Sequence, residues 1–366
     1  VVIWPQILAL REAAVLACIK TDLGKVELVE VPRPTPGPGE VLVRTTLATI
    51  CGSDMHFLDE FPNEVMGKMY KGVLTPQGLP MGHEGVGIVE EVGPGVTRFK
   101  PGDRIAASCL WGCGRCQECL RGEISICSGG GRPLFGCQAE YYIVPNADVN
   151  ATHVPDGVSD EMAILATDIM STGFGAIERA GLGFGDSVAI FAQGPVGLCA
   201  TAGARARGAG LIIAVESVPE RKEMAKRLGA NVVIDPREQD PVSEIRALTD
   251  GRGVDVAVEA VGTQATFEAA TRVVRRGGTV SSVGVYGLYP QLTMPTTVAS
   301  FLHRRIVTTL CPSGWERLEH LFSLIRHGNI DLTPLFTHAI GLREIQRGYE
   351  MFRSKEQGVL KIAVRP

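Results

Sequence analysis

Ser187-Val-Ala-Ile-Phe-Ala192-Gln-Gly194-Pro195-Val196-Gly197 is the stretch on which the fold turns. A strand-length apolar run leads into a glycine-bearing turn, and helix-forming residues follow. The turn is a G-x-G-x-x-G fingerprint whose first glycine is replaced by Ala192. Gly194 would let the backbone approach a pyrophosphate, and Gly197 would let the helix pack close to the strand. The helix N-terminus then offers free N–H groups and partial positive charge to phosphates. Read alone, so degraded a motif is weak, and a merely tight strand–helix turn is its lesser alternative. What raises it is Glu216, 22 residues beyond Gly194 at the end of the next apolar run. A carboxylate there accepts hydrogen bonds from ribose hydroxyls and repels a 2′-phosphate, which favours NAD over NADP. Arg221 is a second ribose candidate and reads equally as a solvated helix charge.

Working outward, apolar strands alternate with helical stretches from about 187 to 310: Ser187–Ala192, a helix to Gly208, Leu211–Val215, a helix over Glu220–Leu228, and Val232–Ile234. Val254–Glu259, Thr279–Val283 and Ile306–Leu310 are further candidate strands. That rhythm predicts a doubly wound parallel sheet of the Rossmann type. The first ~165 residues differ, with short β-branched runs such as Glu40–Arg44, Val86–Glu90 and Ala139–Val144. Turn signals at Pro36–Gly39, Gly93–Gly95 and Pro101–Asp103 separate them, so a β-rich, barrel-like domain is expected. Amphipathic helices at Glu316–His327 and Leu342–Ser354 and a last strand, Val359–Val364, complete an α/β chain. We expect residues 1–166 and 312–366 to form the β-rich domain and 167–311 the NAD-binding domain.

Four cysteines, Cys113, Cys116, Cys119 and Cys127, are spaced C-x2-C-x2-C-x7-C. Four thiolates this close converge on one tetrahedral zinc ion, with Gly112, Gly114 and Gly122 permitting the tight turns. Disulfides or unliganded core thiols are the alternative. A closed four-sulfur site has no open position, so any catalytic metal lies elsewhere. The remaining six of 10 cysteines are dispersed, as thiols are in a reducing cytoplasm. A net charge of −4 and a charged fraction of 21% give no reason to expect nucleic acid or a membrane as partner. The apolar runs fall short of the ~20 residues a membrane span needs. Val1–Leu10 is apolar without a basic flank, and reads as an extra strand or arm.

A second candidate metal set combines Cys51, in Cys51-Gly-Ser53-Asp-Met-His56, with His83, in Gly82-His83-Glu84-Gly85, and Asp168. One thiolate, one imidazole and one carboxylate suit zinc with a fourth position open to water or substrate. Taken singly, Cys51 reads as a buried thiol, His83 as a core histidine and Asp168 as a helix N-cap. Spacing alone does not choose between these readings.

From about Ala17 to Pro366 the sequence resembles the zinc-dependent medium-chain alcohol dehydrogenases, whose catalytic domain is GroES-like. The resemblance rests on Cys51–His56, Gly82–Gly87, Val92-Gly93 through Pro101–Arg104, the four-cysteine lobe, the dinucleotide turn and Gly251–Asp255. It implies that Cys51, His83 and Asp168 hold a catalytic zinc and that Glu84 is the acidic residue beside them. It further implies that Ser53 takes the substrate proton, that His56 ends the relay, and that main-chain groups around Val261, Val283 and Val285 seat the nicotinamide. Two zinc ions per chain, an NAD cofactor, an alcohol or ketone substrate and a cytoplasmic homodimer or homotetramer are the family expectations. Asp168 and Leu310-Cys-Pro-Ser-Gly314 look most like the bacterial secondary alcohol dehydrogenases, whereas Glu216-Ser-Val218 and the intact four-cysteine lobe depart from them. The Cys51–His83 interval is longer than usual for the family. Its extra segment, Phe57–Pro80, holds Phe61, Met66, Met69 and Tyr70 as candidates to line or lid a pocket, or else as an oligomer contact; Trp111 is a weaker pocket candidate. A polyol or threonine dehydrogenase is the alternative activity, and a non-catalytic zinc-thiolate protein the alternative class.

Overall fold

The computed structural model describes residues 14–129, 131–287, 291–294, 296, 302–354 and 358–366. The arm expected at Val1–Leu10 lies outside them. Along the chain the first ten strands are β1 (Ala14–Asp22), β2 (Lys25–Pro32), β3 (Val41–Ile50), β4 (Leu79–Pro80), β5 (Gly85–Val92), β6 (Arg104–Ala107), β7 (Leu110–Trp111), β8 (Arg132–Pro133), β9 (Tyr141–Val144) and β10 (Ala151–His153). Next come β11 (Ser187–Phe191), β12 (Leu211–Val215), β13 (Val232–Ile234), β14 (Val254–Glu259), β15 (Val274–Ser282) and β16 (Arg305–Thr308). The last two are β17 (Phe336–Gly341) and β18 (Lys361–Arg365).

Strands β11 to β16 form one parallel sheet in the order β13-β12-β11-β14-β15-β16. The order reverses beside β11, which places a crevice at the C-terminal ends of β11 and β14. Its inner strands are buried on both faces, as in Val188-Ala-Ile-Phe191, and so read as continuous apolar runs without alternation. Proline at the first helical turn opens the helices Pro195–Ala206, Pro219–Leu228 and Pro241–Ala247, where its missing N–H costs nothing.

The other large sheet runs β10-β6-β5-β3-β18-β17, with β9 also on β3. The C-terminal strand β18 thus lies antiparallel beside β3, Ile362 opposite Ile50. A small sheet, β2-β1-β4, packs alongside. Several strand expectations need correction at their ends, the last strand among them, which is Lys361–Arg365 in place of Val359–Val364. The strand expected at Thr279–Val283 starts earlier, at Val274, and the one expected at Ile306–Leu310 is Arg305–Thr308. The extra segment 57–80 takes in the end of the helix Gly52–Asp59, the short helix Asn63–Met69 and then turns leading into β4. Each helix is too short to show a helical period in sequence.

Ala192 has φ +71°, a left-handed backbone costing an L-residue roughly 1–2 kcal/mol. Gly197 follows for a steric reason: a Cβ there would lie 2.0 Å from the Ala192 carbonyl oxygen. Ala192→Gly, which restores the first glycine of the fingerprint, should therefore stabilise the protein by about 0.5–1 kcal/mol after the added freedom of the unfolded chain. Guanidinium unfolding of both forms checks this; an unchanged or lower midpoint would contradict it.

Candidate active site and metal centres

Cys51 caps the N-terminus of the helix Gly52–Asp59 at the exit of β3. Its backbone N–H donates to Asp54 Oδ2 at 3.0 Å, and His83 Nδ1 donates to Asp54 Oδ1 at 2.9 Å. One buried carboxylate thereby fixes both the helix entry that aims the thiol and the imidazole ring. With Nδ1 so engaged, His83 presents Nε2 to the centre, the usual arrangement of a carboxylate-oriented metal histidine. Asp168 joins the helices Asp160–Thr167 and Ile169–Ala180 and makes no side-chain cap. Its Oδ2 instead lies 3.3 Å from His83 Nε2 and 3.4 Å from Cys51 Sγ, while Thr172 Oγ1 donates to Oδ1 at 3.1 Å.

These separations match the edges of a tetrahedron, roughly 3.3–3.8 Å for bonds of about 2.0–2.3 Å. Thiolate, imidazole and carboxylate are also the donor types a borderline ion such as Zn2+ takes. Burial pushes the Cys51 thiol above its ordinary range, with the Lys361 charge opposing; coordination to a dication removes that proton. Burial works against the charge on Asp168 too, yet the hydrogen bond and charge of His83 hold its carboxyl below the usual range.

Glu84 follows His83 and is fully buried. Its Oε2 takes contacts from Thr49 Oγ1 and Lys361 Nζ, and its Oε1 is buried without a hydrogen-bond partner among the described residues. Lys361 itself is 1% exposed. Burial alone would lower its pKa, but the charges of Cys51, Glu84 and Asp168 hold it above the ordinary lysine value. Ser53 and His56 lie on the helix that Cys51 caps, three residues apart and therefore on one face. His56 Nδ1 is 2.7 Å from Glu60 Oε1.

Several residues of this centre escaped sequence reading. Asp54 sits three residues from Cys51, at a helix position where an acidic residue usually serves the helix dipole. Lys361 reads as an ordinary strand-end lysine. Gln138 donates to Asp54 Oδ2 at 3.2 Å and accepts from Tyr349 at 2.9 Å, and no local motif announces it. Beside Asp168, Cys109 and Cys311 bring their sulfurs within 4.8 Å of its carboxylate, and Leu110 packs with them. Of the 57–80 candidates, Met66 is wholly buried in the core and Met69 is 53% exposed, so neither points at the centre. Tyr70, Phe135 and Phe57 instead form an edge-to-face run that ends 6.1 Å from the His83 ring. Phe61 packs on the same core, and its carbonyl accepts from buried Lys20. Trp111 packs against the barrel core, with Arg132 5.9 Å from its ring centre.

The four sulfurs of Cys113, Cys116, Cys119 and Cys127 lie within 4.8 Å of one another. The Cys116 and Cys127 sulfurs are 3.7 Å apart, and the N–H groups of Cys113 and Cys116 donate to Cys127 Sγ and Cys113 Sγ at 3.3 and 3.4 Å. Backbone hydrogen bonding lowers the Cys113 and Cys116 thiols, the second to about 6, while burial raises Cys119 to about 12. The set fits a closed four-thiolate zinc site, and Gly112 belongs to it because a Cβ there would sit 2.9 Å from Cys119 Sγ.

At the crevice of the parallel sheet, Gly194 has φ −69°, a backbone any residue adopts. A Cβ built on it meets only Arg221 Nη1, at 4.0 Å, so glycine here leaves open space that a phosphate group would fill. Glu216 closes β12: its Oε2 accepts from Gln193 N–H at 2.8 Å, and its Oε1 from Ser217 and Val218 N–H at 2.7 and 2.9 Å. Oε2, with a single donor, keeps a lone pair for a ribose hydroxyl. Arg221 reaches over the Gly194 turn and donates to the Val359 carbonyl at 3.3 Å. Val261 and Val285 are exposed at the strand ends, and Val283 N–H donates to the Glu259 carbonyl at 2.9 Å.

Two family models match the chain: "Alcohol dehydrogenase GroES-like domain" over residues 37–156 and "Zinc-binding dehydrogenase" over 195–327. An alcohol dehydrogenase of Cupriavidus necator is 41% identical over 376 residues, covering 97% of this chain and 99% of its own. The NADP-dependent isopropanol dehydrogenase of Thermoanaerobacter brockii is 35% identical, over 94% and 97%. Among solved structures, the alcohol dehydrogenase TADH from Thermus sp. ATN1 superposes with a TM-score of 0.83 at 35% identity, over 96% of this chain and 99% of that one.

Proposed function

Since the chain belongs to the zinc-dependent medium-chain alcohol dehydrogenases, we propose that it oxidises a secondary alcohol with NAD, reversibly, at the Cys51–His83–Asp168 centre. The carrying observation is that those three buried donors bring their ligand atoms within 4.8 Å of one another. A zinc ion bound there would supply Lewis acidity toward the alcohol oxygen, and the nicotinamide the hydride acceptor. Asp54 orients His83 and the entry of Cys51, so the ligands are held before substrate arrives. Lys361 offsets the Glu84 charge and keeps that carboxylate beside the donor set. Ser53 Oγ takes the substrate proton and His56, steadied by Glu60, passes it to solvent. Cys109, Leu110 and Cys311 form the pocket wall beside Asp168. Residues 1–166 and 312–366 constitute the catalytic part and 167–311 the cofactor part, because β17 and β18 join the sheet of β3, β5 and β6. The outer edge of β16, with Ile306 43% exposed, supports a homodimer or homotetramer; a monomer by sedimentation velocity would refute that.

NAD rests on Glu216. The isopropanol dehydrogenase relative carries NADP in its name, so the two cofactors need direct comparison. A carboxylate about 4 Å from a phosphate costs roughly 1–4 kcal/mol between bulk water and the protein surface. Glu216→Gln, which keeps an acceptor for the turn amides, should lower the NAD:NADP ratio of kcat/KM at least tenfold. A wild type that prefers NADP would overturn the NAD assignment outright.

A further inference from the structure

At the N-terminal ends of the parallel strands, opposite the cofactor crevice, a cleft of about 490 Å3 is lined by Arg246, Arg252, Arg275, Arg276 and Arg304. Five guanidinium groups around one cleft are unexpected in a chain of net charge −4. Asp255 pairs with Arg275 at 2.6 Å, and Asp250 lies 3.8 Å from Arg252. Among the described residues, Arg246, Arg276 and Arg304 have no carboxylate within ion-pair distance. Two of these three are held in place by neutral groups. Arg246 donates to the carbonyls of Gly251 and Arg272 at 3.0 and 2.6 Å, and Arg304 to those of Arg275 and Val274 at 3.3 and 2.7 Å. Carbonyls fix the planar groups without cancelling their charge, and each guanidinium keeps N–H donors in reserve. Burial, and then the charges of Arg246 and Arg276, lower the Arg304 pKa, a sign of like charge crowded together without a counter-ion.

We propose that this cleft binds a short oligophosphate chain, free or carried on a nucleoside. Guanidinium forks match phosphoryl oxygens in geometry, and ordering two of the arginines beforehand reduces the entropic cost of binding. The volume suits two or three phosphoryl units, while the negative charge of the whole chain disfavours a long polyanion. The strands of 5–6 residues between the two ends span ~17–20 Å, so the ligand does not compete with the cofactor.

The test uses enzyme saturated with reduced nicotinamide cofactor, which keeps the Gly194 turn occupied. Sodium tripolyphosphate and, separately, adenosine triphosphate are titrated by calorimetry at physiological salt. One saturable site per chain for either ligand is expected. Arg276→Glu, at an exposed position, should weaken it at least tenfold while melting temperature and alcohol kinetics stay unchanged. Absence of saturable binding with both ligands overturns the proposal. So does binding that Arg276→Glu leaves within twofold, or that orthophosphate matches in affinity.

Discussion

Cys51→Ser should leave a folded protein with one zinc per chain in place of two and a kcat/KM for alcohol at least 10³-fold lower. The Lewis acid contributes several kcal/mol of charge stabilisation, and each 1.36 kcal/mol is a factor of ten in rate. A serine hydroxyl is a poor substitute for thiolate, because it stays protonated and is harder than the ion prefers. The fold should survive because the helix entry depends on the Cys51 backbone N–H, held by Asp54, and serine is itself a favoured residue at a helix N-cap. Metal analysis, circular dichroism and cofactor absorbance read the three parts separately. A variant that keeps turning over alcohol would sink the assignment of the centre. One that loses both metals would show that the centre and the four-cysteine lobe are coupled.

The second large effect concerns stability. Lys361→Met should destabilise the protein by about 3–5 kcal/mol, the usual consequence of stranding one member of a buried ion pair. Both side chains of the Lys361–Glu84 pair are 1% exposed, and Met matches the stem of Lys without its charge. The remaining Glu84 would have an uncompensated carboxylate whose Oε1 already lacks a partner. Adding Glu84→Gln should therefore recover more than half of the loss, since the amide carries no charge to strand. Chemical unfolding of the single and double variants forms the cycle. A loss under ~1 kcal/mol for Lys361→Met, or no recovery in the double variant, would mean that the pair is not what holds this region.

Much of this was legible in sequence, and for a definite reason. Val188–Phe191 and Leu211–Val215 are buried on both faces, so their apolar runs are unbroken, and Gly or Pro marks the turns around them. The proposed metal ligands were legible because Cys, His and Asp carry their chemistry in their identity, and four cysteines in fifteen residues need no fold to be noticed. What stayed hidden was relational. Lys361 meets Glu84 across 277 residues of chain, and only the pairing of β18 with β3 makes that contact. Gln138 and Tyr349 matter only through Asp54. Helix Asn63–Met69 presents only Met66 to the core, and one buried position makes no periodic pattern.

The pairing of β18 with β3 also sets a timetable. Domains form as chain emerges from the ribosome, N-terminal parts first, so Cys51, His83 and Asp168 are all made long before Lys361. For that interval Glu84 lacks the charge of Lys361, and the nascent centre is more anionic than the finished one. It would then attract a dication most strongly before the last strand docks. Metal loading during synthesis, followed by closure of β18 over the filled centre, is the order of events this topology favours.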